Sequence, residues 1–275
     1  MVSDMYAFHY TTIGSSHIAT GKPCQDASIS CYTKSYAIGI VADGHGGSSY
    51  VRSDVGAQKA CEVSMRVLRE LLHKTSDLRN VPPGEWQKQI ASSIISQWQD
   101  AISEHRDNHP LSEEEWALLS DRAKNRYEQG LWQFLYGTTL IAIVRTHTAF
   151  FGIQIGDGKC VSFTRDSICS QPIPWDDDCF LNHTTSLCDD NAISRFRFVF
   201  QTDKLPVMVF IGTDGVDDSF GSDERLEEFY LKIWNLMQTN KGEAVRIMSD
   251  FMPELSAKGS HDDISIAGIY YDKKK

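Results

Sequence analysis

Hydrophobic and polar positions alternate in short runs near both ends of the chain and fall at helical spacing in between. Residues 7–13 and 27–33 read as strands, and the second is expected to pair back on the first. Tyr36, Ile38, Ile40 and Ala42 alternate with a second small or apolar set, so this stretch reads as a strand covered on both faces. Ala60, Val63, Val67 and Leu71 recur at steps of three and four and predict an amphipathic helix over 48–74. Trp86, Ile90, Ile94, Trp98 and Ile102, each four apart, mark a second helix whose aromatic weight assigns it to the core. Ser112 and Glu115 form a capping box that opens a third, more polar helical segment through Trp116, Leu119 and Ala123.

The period then changes. Residues 134–145, 149–155 and 160–163 read as adjacent antiparallel strands, with Asp157-Gly158 as a hairpin turn. Residues 172–191 have no clear period, and a loop of that length suits a flap. Beyond strands at 195–200 and 207–213, helices are expected on Leu226, Phe229, Ile233 and Met237 and on Ala244, Met248, Phe251 and Leu255, before a last alternating strand from Ile264 to Tyr270. This order fits an α+β fold of two antiparallel sheets with helices packed outside.

Composition narrows the function. A chain of 275 residues can bury a large core, and no linker, repeat or low-complexity run divides it. We expect one domain spanning 1–275, with a helical insertion near 75–130, a flap-like loop near 172–195 and a tail only at 273–275. A net charge of -10 argues against nucleic acid, whose binding needs clustered Lys and Arg. Seven cysteines without a Cys-x-x-Cys pair suggest reduced thiols, with neither a disulfide framework nor a zinc site. With no basic leader and no apolar run near 18 residues, neither secretion nor membrane spanning is expected, and the cytoplasm is the expected location.

Chemistry concentrates where apolar runs stop. Residues 37–42 end in Asp43-Gly44-His45-Gly46-Gly47, residues 153–156 in Asp157-Gly158, residues 207–213 in Asp214-Gly215, and Asp262-Asp263 opens the last strand. Taken singly, each is also readable as a glycine turn with a capping aspartate. Together they are carboxylates at buried strand ends, which repel and take up protons unless something positive lies between them. Hard divalent cations with oxygen ligands meet that need. No Cys-x5-Arg loop and no Gly-x-Ser-x-Gly elbow supplies a covalent nucleophile.

These motifs, with Gly137-Thr138-Thr139, Asp218 and Ile264-Ser265, occur in an order that resembles the metal-dependent Ser/Thr protein phosphatases of type 2C, bacterial-type single-domain members, over nearly the whole chain from Gln25-Asp26 to Ser265. The resemblance implies a four-layer α/β/β/α sandwich, two Mn²⁺ or Mg²⁺ ions with a weaker third position, and hydrolysis of phosphomonoesters by direct attack of a dimetal-activated water. It implies that Asp43 bridges the ions, that the Gly44 carbonyl serves the second, and that Asp214 and Asp262 complete the first. Asp157, with Asp214 and Asp218, matches the third position. Asp26 matches a residue that holds the nucleophile from behind, and His45 a general acid for the leaving alkoxide. A structural hydrogen bond to a neighbouring carboxylate is the other reading of His45, and Thr138 and Thr139 read as ordinary strand residues.

The chain departs from the family pattern in places. Gln25 stands where an acidic residue is common, Gly21 where a phosphate-gripping Arg is expected, Lys159 where Arg is frequent, Asp217 where an aromatic often lies, and Asp263 at a usual Asn. His17 or Lys22 is the candidate replacement for the missing phosphate grip. The leading expectation is a monomeric phosphatase acting on phosphorylated protein and opposing a Ser/Thr kinase. The alternatives are a non-enzymatic protein-binding module on the same fold, or a two-metal hydrolase of small phosphate esters.

Overall fold

A computed structural model describes residues 3–75, 77–80, 84–179 and 183–273. Residues 180–182 of the expected flap, and Lys274 and Lys275 of the expected tail, lie outside the described residues. The chain runs through β1 (Ser3–Thr12), α1 (Ser15–Thr20), β2 (Asp26–Tyr32), β3 (Tyr36–Asp43), α2 (Ser53–Lys74), α3 (Glu85–Asn108), α4 (Glu113–Leu118) and α5 (Asp121–Glu128). It continues with β4 (Leu140–Thr146), β5 (Phe150–Ile155), β6 (Lys159–Phe163), β7 (Cys169–Ser170), α6 (Ala192–Arg195) and β8 (Arg197–Gln201). The last elements are β9 (Met208–Gly212), α7 (Asp214–Phe220), α8 (Asp223–Thr239), α9 (Lys241–Lys258) and β10 (Ile264–Lys273).

Two antiparallel sheets result, ordered β1-β10-β9-β6-β7 and β2-β3-β4-β5-β8. Their facing sides meet through Val41, Ile141, Ile143, Val209, Ile211, Ala267 and Ile269, an apolar layer drawn from both sheets. The outer face of the β2-containing sheet packs on α2 and α3 through residues such as Ala60, Leu68, Ile94 and Trp98. The outer face of the other sheet packs on α8 and α9 through Phe210, Tyr230, Ile233 and Met248. The outcome is the α/β/β/α sandwich. Because both sheets are internal layers, β3, β4 and β5 carry apolar residues on both faces, which accounts for their nearly unbroken hydrophobic runs.

Strand partners differ from the sequence reading in three places. β2 pairs with β3, not back on β1; β1 pairs with β10 in the other sheet. β1 and β2 still touch across the sheet interface, where Thr11 Oγ1 lies 2.7 Å from Ser28 Oγ. The Asp157-Gly158 turn is not a hairpin, because β5 belongs to one sheet and β6 pairs with β9 and β7 in the other. An Asp-Gly corner permits either outcome, and here the core needs the chain to cross between layers. Residues 133–136 form a 3-10 turn, so the strand expected from 134 begins only at Leu140.

Helix ends shift for local reasons. α2 starts at Ser53 because residues 44–52 spend their backbone donors elsewhere: Gly44 N on Gln25 O, His45 N on Gly137 O and Arg52 N on Leu135 O. The capping box at Ser112 and Glu115 is present, but the polar segment breaks in two, with Ser120 capping α5 through Ala123 N. α1 and α7 carry no helical stripe long enough to be seen in the sequence, and among the residues of α1 only His17 is buried.

Candidate metal centre

Five strand and helix ends from both sheets meet at one cavity of about 680 Å³, whose walls include Asp43, Gly44, His45, Asp157, Asp214, Asp218, Asp262, His17 and Lys22. Of the candidate catalytic, phosphate-binding and metal-binding residues, Asp26 alone stays off the wall; it is buried beneath, as the cross-strand partner of Asp43.

Each carboxylate is held by the fold. Asp43 ends β3, and Gly137-Thr138-Thr139 fixes its backbone: Thr139 Oγ1 accepts from Asp43 N at 3.1 Å, and Asp43 O accepts from Thr139 N and Thr138 Oγ1, both at 2.8 Å. The two threonines are therefore supports for Asp43 rather than ordinary strand residues. Asp214 is the first residue of α7. Thr213 just before it donates its hydroxyl to Asp26 Oδ2 at 2.7 Å and accepts from Ser265 N at 3.0 Å, tying β2, α7 and β10 at one point. Two glycines permit this convergence. A Cβ on Gly44 would lie 2.5 Å from Gln25 O, and one on Gly215 would lie 2.0 Å from Asp263 O, so neither backbone could approach so closely with a side chain.

Charge crowding follows. Burial raises the proton affinity of Asp43, and the charges of Asp214 and Asp26 raise it further; Asp43 and Asp214 share a side-chain hydrogen bond. Burial raises Asp26 well above its ordinary value despite the hydrogen bond from Thr213, and it lifts Asp214 to about 6 and Asp217 to about 7. Asp157 is raised for the same reason, with Asp218 adding repulsion and a hydrogen bond from Thr184 opposing it. Carboxylates placed so close that they compete for protons fit divalent cations, and most of the donors are oxygen, as Mg²⁺ and Mn²⁺ prefer; among the described residues, His17, Asp262 and Asp263 on the same wall have potential ligand atoms all within 4.8 Å of one another. Asp262 differs from Asp43 and Asp214: its side chain is 57% exposed at the cavity mouth.

The departures from the family pattern are neighbours in space. Lys159 Nζ lies 3.1 Å from Asp217 Oδ2 and 2.5 Å from Asp223 Oδ1, so the unusual lysine and the unusual aspartate pair with each other. Asp263 is buried and accepts from Gly14 N and Gln25 N at 2.6 Å each, while His17 Nδ1 lies 2.9 Å from its Oδ2. His17 Nε2 is 4.0 Å from Asp262 Oδ1. Gln25 turns its amide away, to Ser53 Oγ at 2.5 Å and His45 O at 3.3 Å. The His45 ring packs edge-on against Tyr50 at 4.9 Å, and burial pulls its pKa down to about 4.

Sequence reasoning missed what fastens the loop after β7. Thr185 Oγ1 donates to buried Asp176 at 2.9 Å and accepts from Gly156 N at 3.0 Å, and Arg197 donates to the carbonyls of Pro174 and Gly156. These bonds attach the loop to the Asp157 corner. Nothing periodic marks them, because they join residues far apart in the chain.

A two-sheet sandwich with a cluster of buried carboxylates at its edge fits the class of metal-dependent hydrolases. The family model for protein phosphatase 2C matches residues 13–252, and the chain belongs to that family of protein serine/threonine phosphatases. Among solved structures, the catalytic domain of serine/threonine phosphatase PstP in complex with two manganese ions is 15% identical, covering 98% of this chain and 100% of that one at a TM-score of 0.58. Stp1 from Staphylococcus aureus is 13% identical, with 98% and 96% covered and a TM-score of 0.62. PppA, a key regulatory component of the T6SS in Pseudomonas aeruginosa, is 15% identical, with 98% and 99% covered and a TM-score of 0.60. No individual curated protein sequence matches the chain. No described helix is long and apolar enough to cross a membrane.

Proposed function

We propose that this chain hydrolyses phosphoserine and phosphothreonine esters of proteins at the acidic cavity. The convergence of Asp43, Asp214 and Asp262 from both sheets carries this reading. Asp43 would bridge two Mn²⁺ or Mg²⁺ ions, with the Gly44 carbonyl on the second and Asp214 and Asp262 on the first. Asp157, Asp214 and Asp218 would form a weaker third position. When bound, such ions lower the pKa of water and draw charge from phosphoryl oxygens.

The protein's own groups supply placement and proton handling. Asp26, fixed by Thr213, orients the hydrolytic water from beneath Asp43. His45 stands neutral near pH 7, and the arriving phosphate's negative charge raises its proton affinity, so that it can pass a proton to the leaving alkoxide. His17, held by Asp263, and Lys22 take the place of the absent arginine in gripping the phosphate. We infer a single catalytic domain over 1–275, with the helices near 75–130 as an insertion and residues 172–195 as a flap. It acts as a cytoplasmic monomer opposing a Ser/Thr kinase, without nucleic-acid or membrane partners.

The test is turnover of p-nitrophenyl phosphate and a phosphothreonine peptide with and without Mn²⁺. We expect activity in Mn²⁺, its loss in EDTA, and a fall of at least about 100-fold in Asp43→Asn and Asp214→Asn. Full activity in EDTA refutes the mechanism.

A further inference from the structure

A second groove, of about 590 Å³, adjoins the acidic cavity, and Cys188 and Asp189 wall both. It is lined by Leu131, shortly before the 3-10 turn, and by Ile193 of α6. Both are large apolar side chains left in solvent, Leu131 47% and Ile193 45% exposed, on a chain that otherwise buries most residues of this kind. The cavity next door has the opposite character, walled largely by aspartates and other polar groups. The groove's charges are Lys88 against Asp189 and Asp190, which gives an acidic peptide no net attraction.

We propose that this groove holds the stretch of phosphoprotein beside the phosphorylated residue and takes an apolar side chain between Leu131 and Ile193. The inference rests on the phosphatase reading and adds a substrate class to it: phosphopeptides with an apolar residue near the phosphorylation site. Continuity names the occupant. A polypeptide whose phosphate sits over the aspartates reaches the groove by crossing the shared Cys188–Asp189 wall, and extended chain advances about 3.3 Å per residue, so the groove receives a near neighbour of the phosphoresidue. Apolar contact there gains affinity without involving the reacting atoms, so it discriminates between peptides and leaves a minimal aryl phosphate unaffected.

The experiment compares phosphothreonine peptides identical except for Leu or Asn at each of the three positions on either side of the phosphoresidue. Wild type, Leu131→Asn and Ile193→Asn are assayed in Mn²⁺, with p-nitrophenyl phosphate in parallel. We expect at least one position at which Leu raises kcat/KM about 10-fold over Asn, a preference that both variants lose while their p-nitrophenyl phosphate turnover stays at the wild-type level. Absence of any such preference in the wild type, or its survival in both variants, overturns the proposal. So does an equal loss on both kinds of substrate, which would show that these side chains shape the catalytic site. Wild-type turnover of p-nitrophenyl phosphate reads the phosphatase assignment separately.

Discussion

Arg52, the residue before α2, is 4% exposed, and its guanidinium uses all of its donors on the connection between α3 and α4, on α4 itself and on the 3-10 turn. Nε and Nη2 grip the Glu115 carboxylate at 2.6 and 2.9 Å. Nη1 reaches His109 O at 2.7 Å and Tyr136 Oη at 2.9 Å, and Nη2 also reaches Pro110 O at 3.1 Å. The same carboxylate accepts from Ser112 N at 2.8 Å and so closes the cap of α4. Arg52→Met keeps much of the stem but strands one carboxylate, two carbonyls and a phenol. Removing one partner of a buried, hydrogen-bonded ion pair costs about 3–5 kcal/mol. Glu115 keeps partial access to water and its cap donor, which places the expected loss near the lower figure, about 3 kcal/mol. At about 2–4 °C per kcal/mol for chains of this size, Tm should fall by roughly 6–12 °C. Urea unfolding of wild type, Arg52→Met and Arg246→Met measures it. Arg246 pairs with two carboxylates, Glu243 and Asp250, where Arg52 pairs with one, but it lies on the surface, and its loss should not register. A loss below about 1 kcal/mol for Arg52→Met would refute the claim that a satisfied buried guanidinium, and not ion-pair number, fastens this segment.

Asp217→Asn should stabilise the metal-free protein at pH 8 and leave it unchanged near pH 4. Burial lifts this carboxyl from 3.8 to about 7, so the folded state holds its proton longer than the unfolded one, and stability falls as pH rises from about 4 through 7. The full shift corresponds to on the order of 4 kcal/mol; thermal melts in EDTA across that range check it, and a wild type no less stable than the variant at pH 8 contradicts it. Mn²⁺ should raise the wild-type Tm more at pH 8 than at pH 5, where protons compete for the same carboxylates. His45→Ala should lose more turnover on a phosphothreonine peptide than on p-nitrophenyl phosphate, whose leaving group scarcely needs a proton; equal losses count against proton donation.

The acid cluster was legible because an aspartate at the end of a long buried run is costly without a partner, and three follow such runs while Asp262-Asp263 opens a fourth. The long helices were legible from their stripes. Sheet membership was not: β5 and β6 flank an Asp-Gly corner that looks the same whether the strands pair or part. α7 has seven residues, too few to show a period, so the helix that presents Asp214 was missing although Asp214 itself was not. Thr213 reads as one more β-branched strand residue, and only its bonds to Asp26 and Ser265 show what it holds. The mutual pairing of Lys159 with Asp217 could not be read from residues so far apart in the chain.

Asp26 and Asp43 end strands of one sheet, whereas Asp214 and Asp262 belong to the ends of strands in the other. Any cation seated among them is therefore a rivet through the whole sandwich, joining layers that along that edge are otherwise held by apolar contact and a few hydrogen bonds such as Thr213 to Asp26. Chelation should then do more than halt turnover: it removes a tie between the layers at their most repulsive margin, so catalytic competence and resistance to unfolding should rise and fall along a single titration.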